Sequence, residues 1–295
     1  MTATSAAESG MKPQRSVFVR RAPLRIAVIV IALLWSIPTL GILISSFRPG
    51  NEVTQTGWWT ALFAPFQSEW TLANYEAVLG SENMANAFIN SLIVSIPATV
   101  IPITIAAFAA YAFSWMRFPF RGTLFMVVVA LLVVPLQMAL IPVQEIYQTL
   151  GINQTFLGVW LAHAAFGLPL AIFLLYNFIS QLPGDLFETA SIDGATHFQM
   201  FTKVVLPLSV PALAAFAIFQ FLWVWNDLLV ALVFLGATEE RSVMTLELSR
   251  LVGGRGQQWH LLTAGAFVTM VLPMLVFLAL QRYFVRGILS GSVKG

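Results

Sequence analysis

Asp227, in the stretch Trp223–Leu228 (WVWNDL), is an ionisable group set inside an apolar run. A carboxylate in such surroundings is costly to desolvate and by default suggests function. Two roles fit it. It could line a polar pathway, with Trp223 and Trp225 stacking on a solute and Asn226 hydrogen-bonding it, or it could partner a neighbouring helix. Gln137, Gln144, His163, Asn177 and Asn226 also lie in or beside apolar runs. They read either as the lining of a hydrophilic cavity or as interhelical hydrogen bonds. Catalytic constellations are missing. The three histidines, His163, His197 and His260, fall on separate segments and do not gather into one metal site in the topology derived below. H-E-x-x-H, G-x-S-x-G and G-x-x-x-x-G-K-[ST] do not occur, so the chain has no P-loop for a nucleotide. Energy, where needed, must come from another subunit or from an ion gradient. Cysteine is absent, which excludes disulfides and cysteine metal sites.

The elements that position these residues are apolar helices. The 295-residue chain is 58% hydrophobic and 9% charged, against about 25% charged in soluble domains. Lipid must therefore be its main solvent. A bilayer core about 30 Å thick takes about 20 apolar residues as helix. Six stretches qualify: Leu24–Phe47, Asn86–Trp115, Thr123–Val143, Phe156–Ile179, Leu208–Leu235 and Leu262–Phe284. No alternation of the kind a barrel needs is present, and backbone groups in lipid must be satisfied internally, so an all-α membrane protein of six transmembrane helices is expected. Pro38, Pro97, Pro102, Pro135, Pro169 and Pro273 fall within these stretches and predict kinks.

Lys and Arg set the orientation. With the N-terminus cytoplasmic, Lys12, Arg15, Arg20, Arg21, Arg25, Arg117, Arg121, Lys203, Arg282, Arg286 and Lys294 lie inside, and Arg48, Arg241, Arg250 and Arg255 outside, 11 against 4. Residues 1–23 then form a cytoplasmic tail, 24–285 the six-helix domain and 286–295 a second cytoplasmic tail. The first apolar run, about 22 residues long and without an A-x-A site, reads as a retained anchor rather than a cleaved signal. The loop Asn51–Ala85 carries Trp58, Trp59, Trp70 and Tyr75, which fit either an interfacial aromatic belt or a docking surface for an external partner. The loop Gly236–Leu261 holds LVGGRGQQWH. Its glycines Gly253, Gly254 and Gly256 lack the strand and helix a phosphate cradle needs, and a flexible external loop is expected.

Between the fourth and fifth apolar runs lies a compact island, Glu188–Pro211 (ETASIDGATHFQMFTKVVLPLSVP). Glu188–Ile192 can form a helical turn, with Asp185 and Glu188 suited to its N-terminal end. Gly194 gives a break at which backbone can approach a partner. Phe198, Phe201 and Val205 recur at helical spacing, which predicts an apolar docking face. Such an element can carry a rigid push from a cytoplasmic protein to two helices.

The island resembles the EAA loop (about residues 185–207) of binding-protein-dependent ABC importer permeases, whose pattern is E-A-A-x-x-x-G followed by apolar positions and L-P. Glu188, Ala190 and Gly194 match, Thr189 replaces one small alanine, and Asp193-Gly194-Ala195 and Leu206-Pro207 match the sugar-importer version. The ending FVRGILSGSVKG resembles that of the second permease subunit of maltose-type importers, and the start GILISSFRPGNEVTQTGWW resembles the α-glucoside and glucose branch. The resemblance runs from about residue 25 to 295. It implies the type I ABC importer permease fold in the bacterial inner membrane, and a subunit that does not itself hydrolyse ATP. The implied partners are a homologous permease, two ATP-binding subunits, an extracytoplasmic sugar-binding protein and membrane lipid, with no cofactor, metal or nucleic acid. It also implies that Glu188, Ala190, Asp193, Gly194 and Ala195 dock in a cleft of the ATPase, whose closure swings the permeases. The tail Ser290–Gly295 is placed near the ATPase pair. Gly253, Gly254, Gln257 and Trp259 are expected to reach the binding protein, and Trp223, Trp225, Asn226 and Asp227 to line the sugar pathway. A stand-alone secondary carrier or channel is the alternative. It needs relay carboxylates, of which Asp227 is a single candidate, and the inverted halves usual in carriers are not detectable. A third reading is a non-transporting membrane scaffold.

Overall fold

The computed structural model describes residues 15–80, 83–253 and 258–290, with side chains within 23–80, 83–252 and 258–282. Its described residues contain no strand. Helix α1 (Arg15–Ser46) leads into the short helices α2 (Gly50–Gln55), α3 (Thr60–Phe63) and α4 (Ala73–Gly80). The long helix α5 (Met84–Trp115) is followed by α6 (Arg121–Ala130), α7 (Leu136–Thr149) and α8 (Phe156–Ile179). The island contains α9 (Gly184–Ile192), α10 (His197–Met200), a π-helical stretch Phe201–Val205 and α11 (Leu206–Leu208). Helices α12 (Val210–Trp225), α13 (Leu229–Phe234), α14 (Met244–Gly253) and α15 (Trp259–Ser290) complete the bundle.

Among the described residues, four helices are long and apolar enough to cross a membrane: Pro23–Ser46, Met84–Trp115, Phe156–Ile179 and Trp259–Arg282. Two helix pairs pass the same test together but are bent, Arg121–Val133 with Leu136–Thr149 at 104°, and His197–Leu208 with Val210–Trp225 at 72°, which makes six spans where each pair counts as one. The expected span Thr123–Val143, in which Pro135 predicted a kink, is broken outright. Pro135 caps α7 in an extended conformation, and Val134 before it, at φ −70° and ψ 117°, has left the helical region, as a residue preceding proline is driven to do. The expected span Leu208–Leu235 divides into α12 and α13 around Asn226.

The other prolines expected to kink, Pro38, Pro97, Pro102, Pro169 and Pro273, sit inside uninterrupted helices. A proline deprives the carbonyl four residues earlier of its donor. Three of these freed carbonyls are met from neighbouring helices. Trp160 of α8 donates its indole N–H to Ile93 O at 2.8 Å, four residues before Pro97. Gln220 of α12 donates to Ala98 O at 3.2 Å, four before Pro102. Trp225 of α12 donates to Thr269 O at 3.1 Å, four before Pro273. An unsatisfied carbonyl inside a bilayer costs several kcal/mol, so each donor makes its proline tolerable. Gly167 leaves room for this arrangement, because a Cβ there would stand 2.6 Å from Gln220 Oε1.

Small residues Ala87, Ala98, Ala106 and Ala110, all fully buried, bring α5 close to its neighbours. One core cluster joins Val94, Ala98, Val159, Val230 and Phe234. Another, toward the far end of α5, joins Ala106, Tyr111, Leu175, Phe187, Phe201 and Val205.

Candidate functional site

The island is held in shape by local chemistry. Helix α9 begins at Gly184 after Pro183, earlier than the expected turn at Glu188. Asp185 therefore occupies the first turn, where a carboxylate favours the helix dipole, and Glu188 lies beyond it. The helix stops in a Schellman motif: Ala195 N donates to Ala190 O at 2.9 Å and Gly194 N to Ser191 O at 3.1 Å. Gly194 takes φ +74°, the left-handed conformation this motif requires of its glycine. A Cβ at Gly194 would meet nothing within 4 Å, so the surface there is open as well. Helix α10 starts with a capping box, in which Thr196 N donates to Gln199 Oε1 at 2.8 Å and Gln199 N to Thr196 Oγ1 at 3.3 Å.

The island has two faces. Phe187, Met200, Phe201 and Val205 are buried in the core, and Ala190 and Ala195 pack half-buried against it. Glu188, Asp193 and Gly194 are exposed. Ile192 and Phe198 are 85% and 66% exposed. The expected apolar face of Phe198, Phe201 and Val205 is thus split. The π-helical stretch Phe201–Val205 changes the residues per turn, so that Phe201 and Val205 face the bundle and Phe198 faces out.

An aromatic clamp fixes the buried face to α5. Trp115 stacks on Phe187 with ring centres 3.7 Å apart and planes 18° apart, and donates its indole N–H to Ile179 O at 3.0 Å. Phe108 stacks on Phe201 at 4.4 Å. The Tyr111 hydroxyl and His197 Nδ1 share a hydrogen bond of 3.0 Å. None of these α5 residues stood out in the sequence. The signal available was Phe108, Tyr111 and Trp115 at helical spacing just before the basic turn at Arg117.

At the other end of α5, Asn90 donates to Glu240 O at 2.9 Å and Ser242 O at 3.0 Å. Asn83 donates to Glu239 O at 2.8 Å, and Ser91 Oγ accepts from Met244 N at 2.9 Å. Around Asp227, the fully buried His163 places Nε2 3.7 Å from Asp227 Oδ2. The Trp223 ring meets the imidazole edge-on at 5.2 Å. Asp227 Oδ2 also accepts from Ala231 N at 2.9 Å, so the carboxylate ties the start of α13 while lying close to the His163 ring of α8. Trp225 is 2% exposed, sandwiched by Phe88 and Phe221, with its N–H spent on Thr269. Asn226 is exposed, and its amide donates to Leu222 O of its own helix. Gln144 reaches Val233 O at 3.4 Å, while Gln137 and Asn177 are exposed.

Gly253 ends α14, and Trp259, 51% exposed, opens α15. Gly254 and Gln257 lie outside the described residues, as do residues 291–295 of the tail Ser290–Gly295. Among the described residues no three metal-ligating side chains gather.

Residues 102–290 match the family described as binding-protein-dependent transport system inner membrane component. The chain is 58% identical to the osmoprotective compounds uptake permease protein GgtD of Synechocystis sp., over 95% of each chain. It is 42% identical to the alpha-glucoside transport system permease protein AglG of Rhizobium meliloti, covering 94% of this chain and 99% of that one. A solved bacterial ABC transporter that imports the acidic polysaccharide alginate has a chain that superposes with a TM-score of 0.61 at 16% identity. That match covers 93% of this chain and 99% of the other, and it speaks for the fold alone. The match to the family profile across most of the chain and the identity to these permeases agree with the helical bundle. The chain belongs to the family of binding-protein-dependent transport system inner membrane components, the permease subunits of ABC importers.

Proposed function

We propose that this permease forms, with a homologous permease, the pathway for an α-glucoside or other glucose-type carbohydrate, handed over by an extracytoplasmic binding protein and driven by two ATPase subunits. The observation that carries the reading is the island: an exposed Glu188–Gly194 surface mounted through an aromatic clamp on the longest buried helix. Glu188, Ala190, Asp193, Gly194 and Ala195 form the docking surface for an ATPase subunit, with Ile192 and Phe198 as its apolar contacts. The excess of Lys and Arg on the island's side supports cytoplasmic termini and an inner-membrane orientation. The boundaries at residues 23 and 285 follow from the same topology.

Trp223, Asn226 and Asp227 border the pathway, and Trp225 supports them from behind as a packing residue. Gly253, Gly254, Gln257 and Trp259 form the contact for the binding protein on the opposite face. The name of the AglG relative supports an α-glucoside. The stand-alone carrier and the scaffold draw no support from the family. The test is to purify the chain with its neighbours, reconstitute it in liposomes and assay ATP hydrolysis against a panel of solutes with the binding protein present. Stimulation by α-glucosides or glucose-type sugars is expected. Stimulation only by non-carbohydrate osmoprotectants would overturn the substrate, and uptake without the ATPase would overturn the coupling.

A further inference from the structure

The connection between α1 and α4 carries an exposed apolar tip that the transport reading does not use. Leu62, Phe63 and Phe66 are 55%, 87% and 102% exposed, and Trp59 and Trp70 are about half exposed. Residues 53–68 contain no charged side chain. The base of this loop is built to be rigid. Arg48, 1% exposed, directs its Nε to Glu52 Oε2 at 3.2 Å and its other donors to Gly57 O, Glu52 O, Thr56 O and the Thr56 hydroxyl. Glu52 Oε1 accepts from Glu69 N at 2.9 Å, which closes the loop on itself. Asn74 clasps Ser46 O and Arg48 O at 2.9 and 2.8 Å.

The loop is folded back along α1. A Cβ on the buried Gly41 would stand 2.9 Å from Trp58 Nε1, so the Trp58 indole lies against α1 five residues before its end. At 1.5 Å per residue that is about 8 Å back from Ser46. The span Pro23–Ser46 has 24 residues, about 36 Å of helix against a hydrocarbon core of about 30 Å, so Gly41 stands about 5 Å inside the hydrocarbon boundary and the loop that sets Trp58 against it lies at the interface. Along α1 itself the outward side chains are apolar and exposed, Trp35 at 81%. Trp58, four residues before Leu62, is a contact that ties the loop to α1.

We infer that residues 57–66 are an interfacial foot whose Leu62, Phe63 and Phe66 insert among lipid headgroups and upper acyl chains beside α1. The depth fits. Irregular backbone is not tolerated in the hydrocarbon core, whereas apolar and aromatic side chains on a charge-free segment settle about 5–10 Å into the interface. The Arg48–Glu52–Glu69 staple holds the foot at that height, and through it the end of α1.

The chain has no cysteine, which makes the test direct. Phe63→Cys and Phe66→Cys, each labelled with an environment-sensitive fluorophore, are placed in the assembled transporter in lipid nanodiscs. The inference predicts several-fold stronger quenching by phospholipids carrying a shallow nitroxide than by aqueous iodide, with a blue-shifted emission. Quenching by iodide without quenching by lipid would place the tip in water. Protection from both quenchers would mean that a protein partner covers it. Either result overturns the foot. The tips are exposed, so the substitutions do not disturb the core, and quenching reads location independently of transport.

Discussion

Helix α5 is held by different physics along its body and at its island end. Along the body and at the Met84 end, the ties are directed hydrogen bonds: Trp160 to Ile93 O, Gln220 to Ala98 O, and Asn90 to the carbonyls of Glu240 and Ser242. At the Trp115 end, the ties to the island are mainly stacked rings, Trp115 on Phe187 and Phe108 on Phe201, with the Tyr111–His197 hydrogen bond beside them, while Trp115 also bonds Ile179 O of α8. A directed bond fixes one register and is lost within a fraction of an ångström. Stacked rings contribute mainly through buried apolar area, with about 0.5–1.5 kcal/mol more from their geometry. The difference teaches that directed bonds set the helix crossings while ring contacts dominate where the island meets the bundle, an arrangement that suits the coupling role proposed above.

The largest expected effect comes from emptying the joint. Phe187→Ala removes a 7% exposed ring from the stack and is expected to cost about 3–5 kcal/mol of local packing. Thermal unfolding of the assembled complex, with hydrogen exchange over residues 184–208, should show the island loosening while α5 and α8 stay protected. Global loss of protection would mean that joint and bundle are one unit, and the comparison would fail. Next comes the bundle. Gln220→Met leaves Ala98 O unpaired and should cost about 1–3 kcal/mol. Adding Pro102→Ala restores an internal donor for that carbonyl, so the double variant should regain most of the loss. Absence of rescue would refute the pairing of proline and donor. A smaller effect is expected for Tyr111→Phe, which deletes one hydrogen bond to an exposed histidine at about 1 kcal/mol and keeps the ring. The smallest is Ile192→Ser, an exposed position that should change stability by no more than about 0.5 kcal/mol yet weaken ATPase docking in a pull-down.

Much of this was legible. The six apolar runs, the island and its glycine stop follow from periodicity and from the demands of a left-handed cap. The carboxylate at Asp227 was visible as costly, but its closeness to His163 was not, because 64 positions separate the two. Six prolines looked alike in the sequence. A neighbour brings a donor to the carbonyls freed by Pro97, Pro102 and Pro273, and that pairing is a property of the crossing. Only Pro135 ended up at a break. The apolar face of the island was misjudged because a 3.6 period was carried through a π-helical stretch. Trp225 read as a solute stacker and is instead the donor that Pro273 makes necessary.

The central claim is that the exposed face of the island receives the push of an ATPase. Glu188→Lys reverses a charge at an exposed position, so the bundle should be unaffected by it. In proteoliposomes holding the full transporter and its binding protein, ATP hydrolysis and solute uptake are measured together. The account predicts intact assembly of the permease pair with uptake lost and ATP hydrolysis no longer answering to solute. Undiminished ATP-dependent uptake by the Glu188→Lys transporter would contradict it.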